Sequence, residues 1–169
     1  MTTNRQKETF DAWLKQHQAL LFKVVRAFAF NNADQDDLFQ EIAIQVWNSI
    51  PKFQQRSAVT TWLYRISLNT AITWTKKEHK HQKGRQDIQN MEHLLKEDKD
   101  MDSRLVWLYE EISKLNEIER SVTLLMMDGF SYKEIAEILG ITTSNVGVKI
   151  NRIKKQLILK SAEYDYHGV

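Results

Sequence analysis

The sequence contains no cysteine, one proline and five glycines. Without cysteine there is neither a disulfide framework nor a thiolate zinc site. With so few residues that break helices or build hairpins, the chain reads as almost entirely helical. Long hydrophobic runs are missing too. No apolar stretch approaches the ~20 residues of a membrane span, and the opening MTTNRQK is polar, with no signal-peptide core behind it. A soluble, cytoplasmic protein without membrane insertion is expected. Phosphate-cradling glycine loops and nucleophile motifs are also absent. The clustered histidines, His79, His81 and His93, sit in or near a basic run without matching carboxylates. No metal site, no cofactor, no catalytic residue and no enzymatic activity are therefore expected.

What is present is a chain of 169 residues, 42% of them hydrophobic, enough to build one ordinary core or two small ones. The net charge of +2 says little as a total. Its distribution says more. Asp34 to Glu41 carries only negative charge, Lys76 to Arg85 and Lys149 to Lys160 are mostly positive, and an acidic stretch runs from Asp87 to Asp102. A chain divided in this way presents separate surfaces to different partners.

Hydrophobic periodicity predicts one amphipathic helix over Phe10 to Phe30, broken by Asn31 and Asn32. A second opens at Asp34, with acidic residues suited to the positive end of the helix dipole, and stops at Pro51. A third runs from about Thr60 to His79. These form domain one, residues 1–83. Residues 84–102 are polar, charged and weakly periodic and read as an acidic linker with one short helix around Ile88 to Leu95; the alternative is a solvated helix of domain one. Domain two, residues 103–169, begins with a helix over Arg104 to Lys114. Asn116, with Glu119 three residues on, caps the next helix, which ends at Asp128 and Gly129. The fold class is therefore all-α: a three-to-four-helix bundle, then a four-helix domain.

The most specific pattern spans Ser131 to Leu159. Ser131 and Glu134 make a capping box, Gly140 ends a short helix, and Thr142 or Thr143 opens a longer basic one reaching about Lys160. This is the arrangement of a helix-turn-helix. On a wheel of about 100° per residue, Val146, Ile150, Ile153 and Leu157 form the core face. The opposite arc holds Ser144, Val148, Asn151, Arg152 and Lys155, flanked by Lys149 and Lys154. Short polar or apolar groups for base edges and long cations for phosphates suit a major-groove helix. An outward valine has no core reason and matches a thymine methyl. Gly147 weakens the helix and would permit close approach to a backbone.

In domain one, the helix from Asp34 is expected to bury Phe39, Ile42, Ala43, Val46 and Ile50. Its other face carries Asp37, Gln40, Glu41, Ile44 and Asn48, with Trp47 at the edge. Isoleucine and tryptophan on a polar stripe suit a protein partner; a solvated acidic face would carry the same charges. On the third helix Trp62, Arg65, Asn69, Thr73 and Lys76 share one stripe, continuing to Lys77. Aromatic, amide and cation on one track suit a nucleic-acid strand.

These segments together resemble the extracytoplasmic-function sigma factors, promoter-specificity subunits of bacterial RNA polymerase. Asp37 to Trp47 resembles sigma region two, Ser57 to Asn69 the segment that melts and reads the minus-ten element, and Leu115 to Arg152 sigma region four, which reads the minus-thirty-five element. The resemblance covers nearly the whole chain. It implies that Asp37, Gln40, Glu41, Ile44 and Trp47 dock on the clamp helices of core RNA polymerase. Asn69 would hold a flipped minus-ten base, with Arg56 and Ser57 in the loop bordering that pocket and Trp62, Arg65, Thr73, Lys76 and Lys77 along the strand. Ser144, Val148, Lys149, Asn151, Arg152 and Lys155 would meet the minus-thirty-five duplex. Promoter DNA, duplex and melted, is thus an expected partner, and an anti-sigma factor is implied by the resemblance alone. The chain departs from the family pattern at Asn116, where proline is usual, after Asn69, where it has Thr73 to Lys80 in place of an arginine run, and at Gly147, where many members have a cation. A stand-alone helix-turn-helix regulator is the alternative; it accounts for Ser131 to Leu159 but not for the two stripes of domain one.

Overall fold

Helix-breaking and capping residues lie where this chain turns. A computed structural model describes residues 2–81 and 102–167. Almost all of the expected linker, including the short helix around Ile88 to Leu95, lies outside the described residues, as does the side chain of His79. The described residues form α1 (Thr3–Gln16), α2 (Gln18–Phe28), α3 (Asn32–Ser49), a 3-10 turn (Ile50–Lys52), α4 (Val59–His81), α5 (Ser103–Ser113), α6 (Glu117–Met127), α7 (Tyr132–Leu139) and α8 (Thr143–His167). No strand occurs among the described residues. The chain divides into two compact units, Met1–Glu110 and Glu111–Val169, with the boundary inside α5.

In the first unit Leu21, Val24, Val25 and Phe28 of α2, Leu38, Ile42 and Val46 of α3, and Leu63, Tyr64, Leu68 and Ala71 of α4 make the core. Each large apolar side chain buried in this way contributes about 1.5–3 kcal/mol. The single helix expected over Phe10 to Phe30 is two helices. His17, at φ −112° and ψ 22°, breaks it, and its N–H still reaches the Trp13 carbonyl. The break serves two faces. Those of α2 enter the core, whereas α1 buries no residue fully. Instead α1 lays Phe10 edge-on to Trp47 and Trp13 edge-on to Phe53, at ring-centroid distances of 5.4 and 5.2 Å. The Gln6 amide also donates to the Trp47 carbonyl.

Helix α3 starts earlier than expected because Asn31, not Asp34, is its cap. The Asn31 side chain accepts the Asp34 N–H at 2.8 Å. Its buried stripe is Leu38, Ile42 and Val46, continued by Ile50. Phe39 and Ala43, expected inside, are half-buried at the margin of that stripe. Phe39 is covered by stacking on the exposed Phe22 of α2.

The second unit is built around α6, whose residues Glu119 to Leu125 are all buried. A helix covered on every side belongs at the centre of a small bundle. The hydroxyls of Ser121 and Thr123 donate back to the carbonyls of Glu117 and Glu119. Arg120 turns the other way. Its guanidinium donates to the Leu115 and Ser113 carbonyls at 2.8 and 2.9 Å, supplying the C-terminus of α5 with donors the helix itself lacks. Burial pushes this guanidinium down from its usual range, and Glu117 opposes the shift.

The capping box at Ser131 and Glu134 forms as expected, with Gly140 left-handed at φ 68°. Thr142 is the cap of α8, its hydroxyl accepting the Asn145 N–H. Val146, Ile150 and Ile153 are buried, and Leu157 is half-buried. Helix α8 runs past Lys160 to His167. Lys160 lies 2.7 Å from the buried Glu111, which Lys114 also reaches at 2.8 Å. Burial pushes the Glu111 carboxyl up, but the two ammonium groups outweigh it and hold that carboxyl below the usual range.

No backbone from another part of the chain approaches Gly147. A Cβ there would meet the Tyr132 ring at 3.6 Å, an ordinary contact. Gly147→Ala should therefore stabilise the second unit by about 1 kcal/mol through helix propensity. Amide exchange across α8 should slow about fivefold; faster exchange would mean that the ring does not accept the methyl.

Candidate docking and nucleic-acid surfaces

Helix α3 carries Asp37, Gln40, Glu41 and Ile44 three and four residues apart, hence on one face. All four are exposed, and Ile44 is 53% exposed despite being aliphatic. Asp37 has an internal partner as well. Its carboxylate accepts the Trp74 indole N–H at 2.7 Å, which ties α3 to α4. Trp47 departs from the expectation of an exposed edge. It is half-buried beneath Phe10, so α1 covers much of what it would offer a partner.

Along α4 the expected stripe grades outward. Trp62 and Arg65 are half-buried, whereas Asn69, Thr73, Lys76 and Lys77 are exposed. Trp62 closes an aromatic row that begins at Trp13 and passes through Phe53, 5.2 Å from it, so one of its edges is fixed by packing. Its indole nitrogen is buried without a hydrogen-bond partner. Arg56 is exposed and Ser57 half-buried in the loop before α4. That loop turns at Gln55, a non-glycine residue at φ 56°.

On α8, Ser144, Asn151, Arg152 and Lys155 are exposed, Val148 is 66% exposed, and Lys149 is half-buried. The outward valine is therefore real. Arg152 is ion-paired with Glu119, a residue only 7% exposed on the central helix α6. Apart from Arg56 and Ser57, which lie in the loop before α4, and Trp47, which is half-buried, the exposed members of the three sets lie on α3, α4 and α8.

Sequence reasoning missed Trp74, Glu119 and Arg120. Trp74 lies on the buried side of α4, where tryptophan reads as core. Glu119 was read as a cap-box acid, although its side chain points to another helix. Arg120 follows it, and nothing local in the sequence marks it as buried. Only the packing of other helices around α6 singles these two out.

Two family descriptions match the chain: Sigma-70 region 2 over residues 13–81 and Sigma-70, region 4 over residues 105–157. The RNA polymerase sigma factor YlaC of Bacillus subtilis is 33% identical over 129 residues, 72% of this chain and 73% of its own length. The ECF RNA polymerase sigma-E factor of Haemophilus influenzae is 27% identical across 89% of this chain and 86% of its own. Among solved structures, the sigma factor RpoE from Bartonella quintana, in complex with the anti-sigma factor NepR, superposes with a TM-score of 0.69 at 16% identity, covering 89% of this chain and 94% of that one. CnrH, in complex with the cytosolic domain of CnrY, gives 0.62 at 20% identity, covering 95% and 90%. At those identities the two structures speak to the fold.

Proposed function

The chain belongs to the extracytoplasmic-function class of sigma-70 factors, and from that premise we propose how its surfaces divide the work of initiation. As a sigma factor it binds core RNA polymerase and promoter DNA and directs the enzyme to specific promoters. Residues 1–83 dock on the clamp helices through Asp37, Gln40, Glu41 and Ile44, with the uncovered edge of Trp47 beside them. The same domain reads and melts the minus-ten element along Trp62, Arg65, Asn69, Thr73, Lys76 and Lys77, with Arg56 and Ser57 at the base pocket. Residues 84–102 connect it to residues 103–169. There Ser144, Val148, Lys149, Asn151, Arg152 and Lys155 read the minus-thirty-five element.

The observation that carries this reading is the exposed face of α3 formed by Asp37, Gln40, Glu41 and Ile44, where an isoleucine is 53% exposed among polar groups. A stand-alone regulator gives no account of that face. The protein performs no chemistry of its own; it acts in the cytoplasm, where polymerase is, and no described helix is long and apolar enough to cross a membrane. An anti-sigma factor would hold it inactive by covering these surfaces. Each basic surface alone binds duplex weakly. On polymerase the second contact becomes effectively intramolecular, and avidity supplies the affinity.

In vitro transcription with core polymerase on a genomic library tests the reading: specific new starts are expected, and their absence overturns it. Within that assay Asn69→Ala should impair opening more than duplex binding. An extruded base recovers part of its unstacking cost in its pocket, and one amide contact is worth about 1–2 kcal/mol. Permanganate-reactive complexes should fall about 5- to 30-fold. Equal reactivity would remove Asn69 from the pocket.

A further inference from the structure

Arg152 faces outward on α8 with its side chain 55% exposed, yet it is anchored at one end by Glu119, whose side chain is 9% exposed. The anchor is rigid. Glu119 is the third residue of α6, the most enclosed helix of the unit, and its N–H is held by the Asn116 side chain at 2.9 Å. Glu119 thus combines a fixed backbone, a buried carboxylate and a partner on the neighbouring DNA-facing helix.

An unanchored arginine on a DNA-facing helix has many rotamers, and most place its charge near phosphates. Phosphate contacts carry no sequence information. A guanidinium has five donors in one plane. Pairing through one terminal nitrogen leaves others for a base edge and removes the need to order the chain during binding. A supporting carboxylate of this kind acts on recognition as an outer-shell group acts on a metal ligand, by fixing the orientation of the group that makes contact.

We propose that Glu119 is a specificity-positioning residue: its buried carboxylate holds the Arg152 guanidinium in the plane in which its free donors meet one minus-thirty-five base pair. This rests on the assignment of α8 to the minus-thirty-five element. Glu119 touches no DNA; it acts through Arg152. If the pair were only a clamp between α6 and α8, its loss would lower stability and leave base preference alone. If Glu119 competed with DNA for Arg152, its neutralisation would raise affinity with preference retained.

The test uses the full chain with core polymerase on a promoter library randomised across the minus-thirty-five element. Wild type should show a preference at one position that Arg152→Ala abolishes. Glu119→Gln keeps the shape and removes the charge. It should lower that preference at least fivefold, with starts still set by the minus-ten element. In the Arg152→Ala background Glu119→Gln should change nothing further, because residues acting through one contact are not additive. Wild-type preference in Glu119→Gln overturns the proposal, as does an additional loss in the double variant. Should Glu119→Gln fail to fold, Glu119→Asp replaces it: the carboxylate is withdrawn by one methylene with its charge kept, and undiminished preference again overturns the proposal. A wild type with no minus-thirty-five preference overturns the assignment of α8, and the proposal with it. That outcome is distinct from a preference that wild type has and Glu119→Gln retains.

Discussion

Alanine at both Gln40 and Glu41 should detach this chain from core RNA polymerase while leaving its fold intact. Both side chains are exposed on α3, so their removal leaves the packing of Leu38, Ile42 and Val46 undisturbed. Interface residues at the centre of a docking patch cost about 2 kcal/mol or more each on truncation. Two of them amount to about a thousandfold in affinity. The neighbouring Ile44 is more than half exposed and would supply the apolar contact that such charged and polar groups surround. Titration of labelled protein against core polymerase should show the loss, with unchanged helical circular dichroism and no specific starts in transcription. Binding within a few-fold of wild type would move the docking face elsewhere. Asp37 is a poorer probe of the same face. Its carboxylate accepts the Trp74 indole N–H, so Asp37→Ala removes a docking group and a link between α3 and α4 together.

The outward faces were legible in sequence because they break the rule for core. A polar residue repeated at helical spacing, or an apolar one out of phase such as Ile44 or Val148, is visible without coordinates. The capping box at Ser131 and the turn at Gly140 were legible for the same reason, since their chemistry is local. What escaped was non-local. His17 carries no breaker signature; the kink there follows from α1 and α2 having different surfaces to cover. Trp47 and Trp62 were read as free surface because periodicity cannot show that Phe10 and Phe53 lie against them. The last helix was expected to end near Lys160, whereas Glu111 holds that residue and the helix continues for about two further turns. In each case the deciding partner is distant in sequence or on another helix.

The same non-locality makes Arg120 the most consequential single residue of the second unit. It is 8% exposed, on a helix otherwise covered on every side, and serves the Leu115 and Ser113 carbonyls at the end of α5. Burial already disfavours its charge; the two hydrogen bonds are what the charge gains in return. Arg120→Ala removes a charged donor from each carbonyl and the side-chain volume it fills beside α6. Losing hydrogen bonds to a charged group costs about 1.5–3 kcal/mol each, so a total of about 3 kcal/mol or more is expected. A folded unit the size of Glu111–Val169 holds only roughly 3–9 kcal/mol. The variant should therefore lose much of the protection of α6 to α8, by about a hundredfold or more in amide exchange, while α2 to α4 keep theirs. Lysine at this position restores the charge but not the planar fork that reaches two carbonyls at once, and should recover less than half of the loss. If Arg120→Ala left exchange in α6 unchanged, the end of α5 would have to be satisfied by water, and the guanidinium would be filling space only. The expected result makes Arg120 a residue on which the packing of the second unit depends, although it is itself buried.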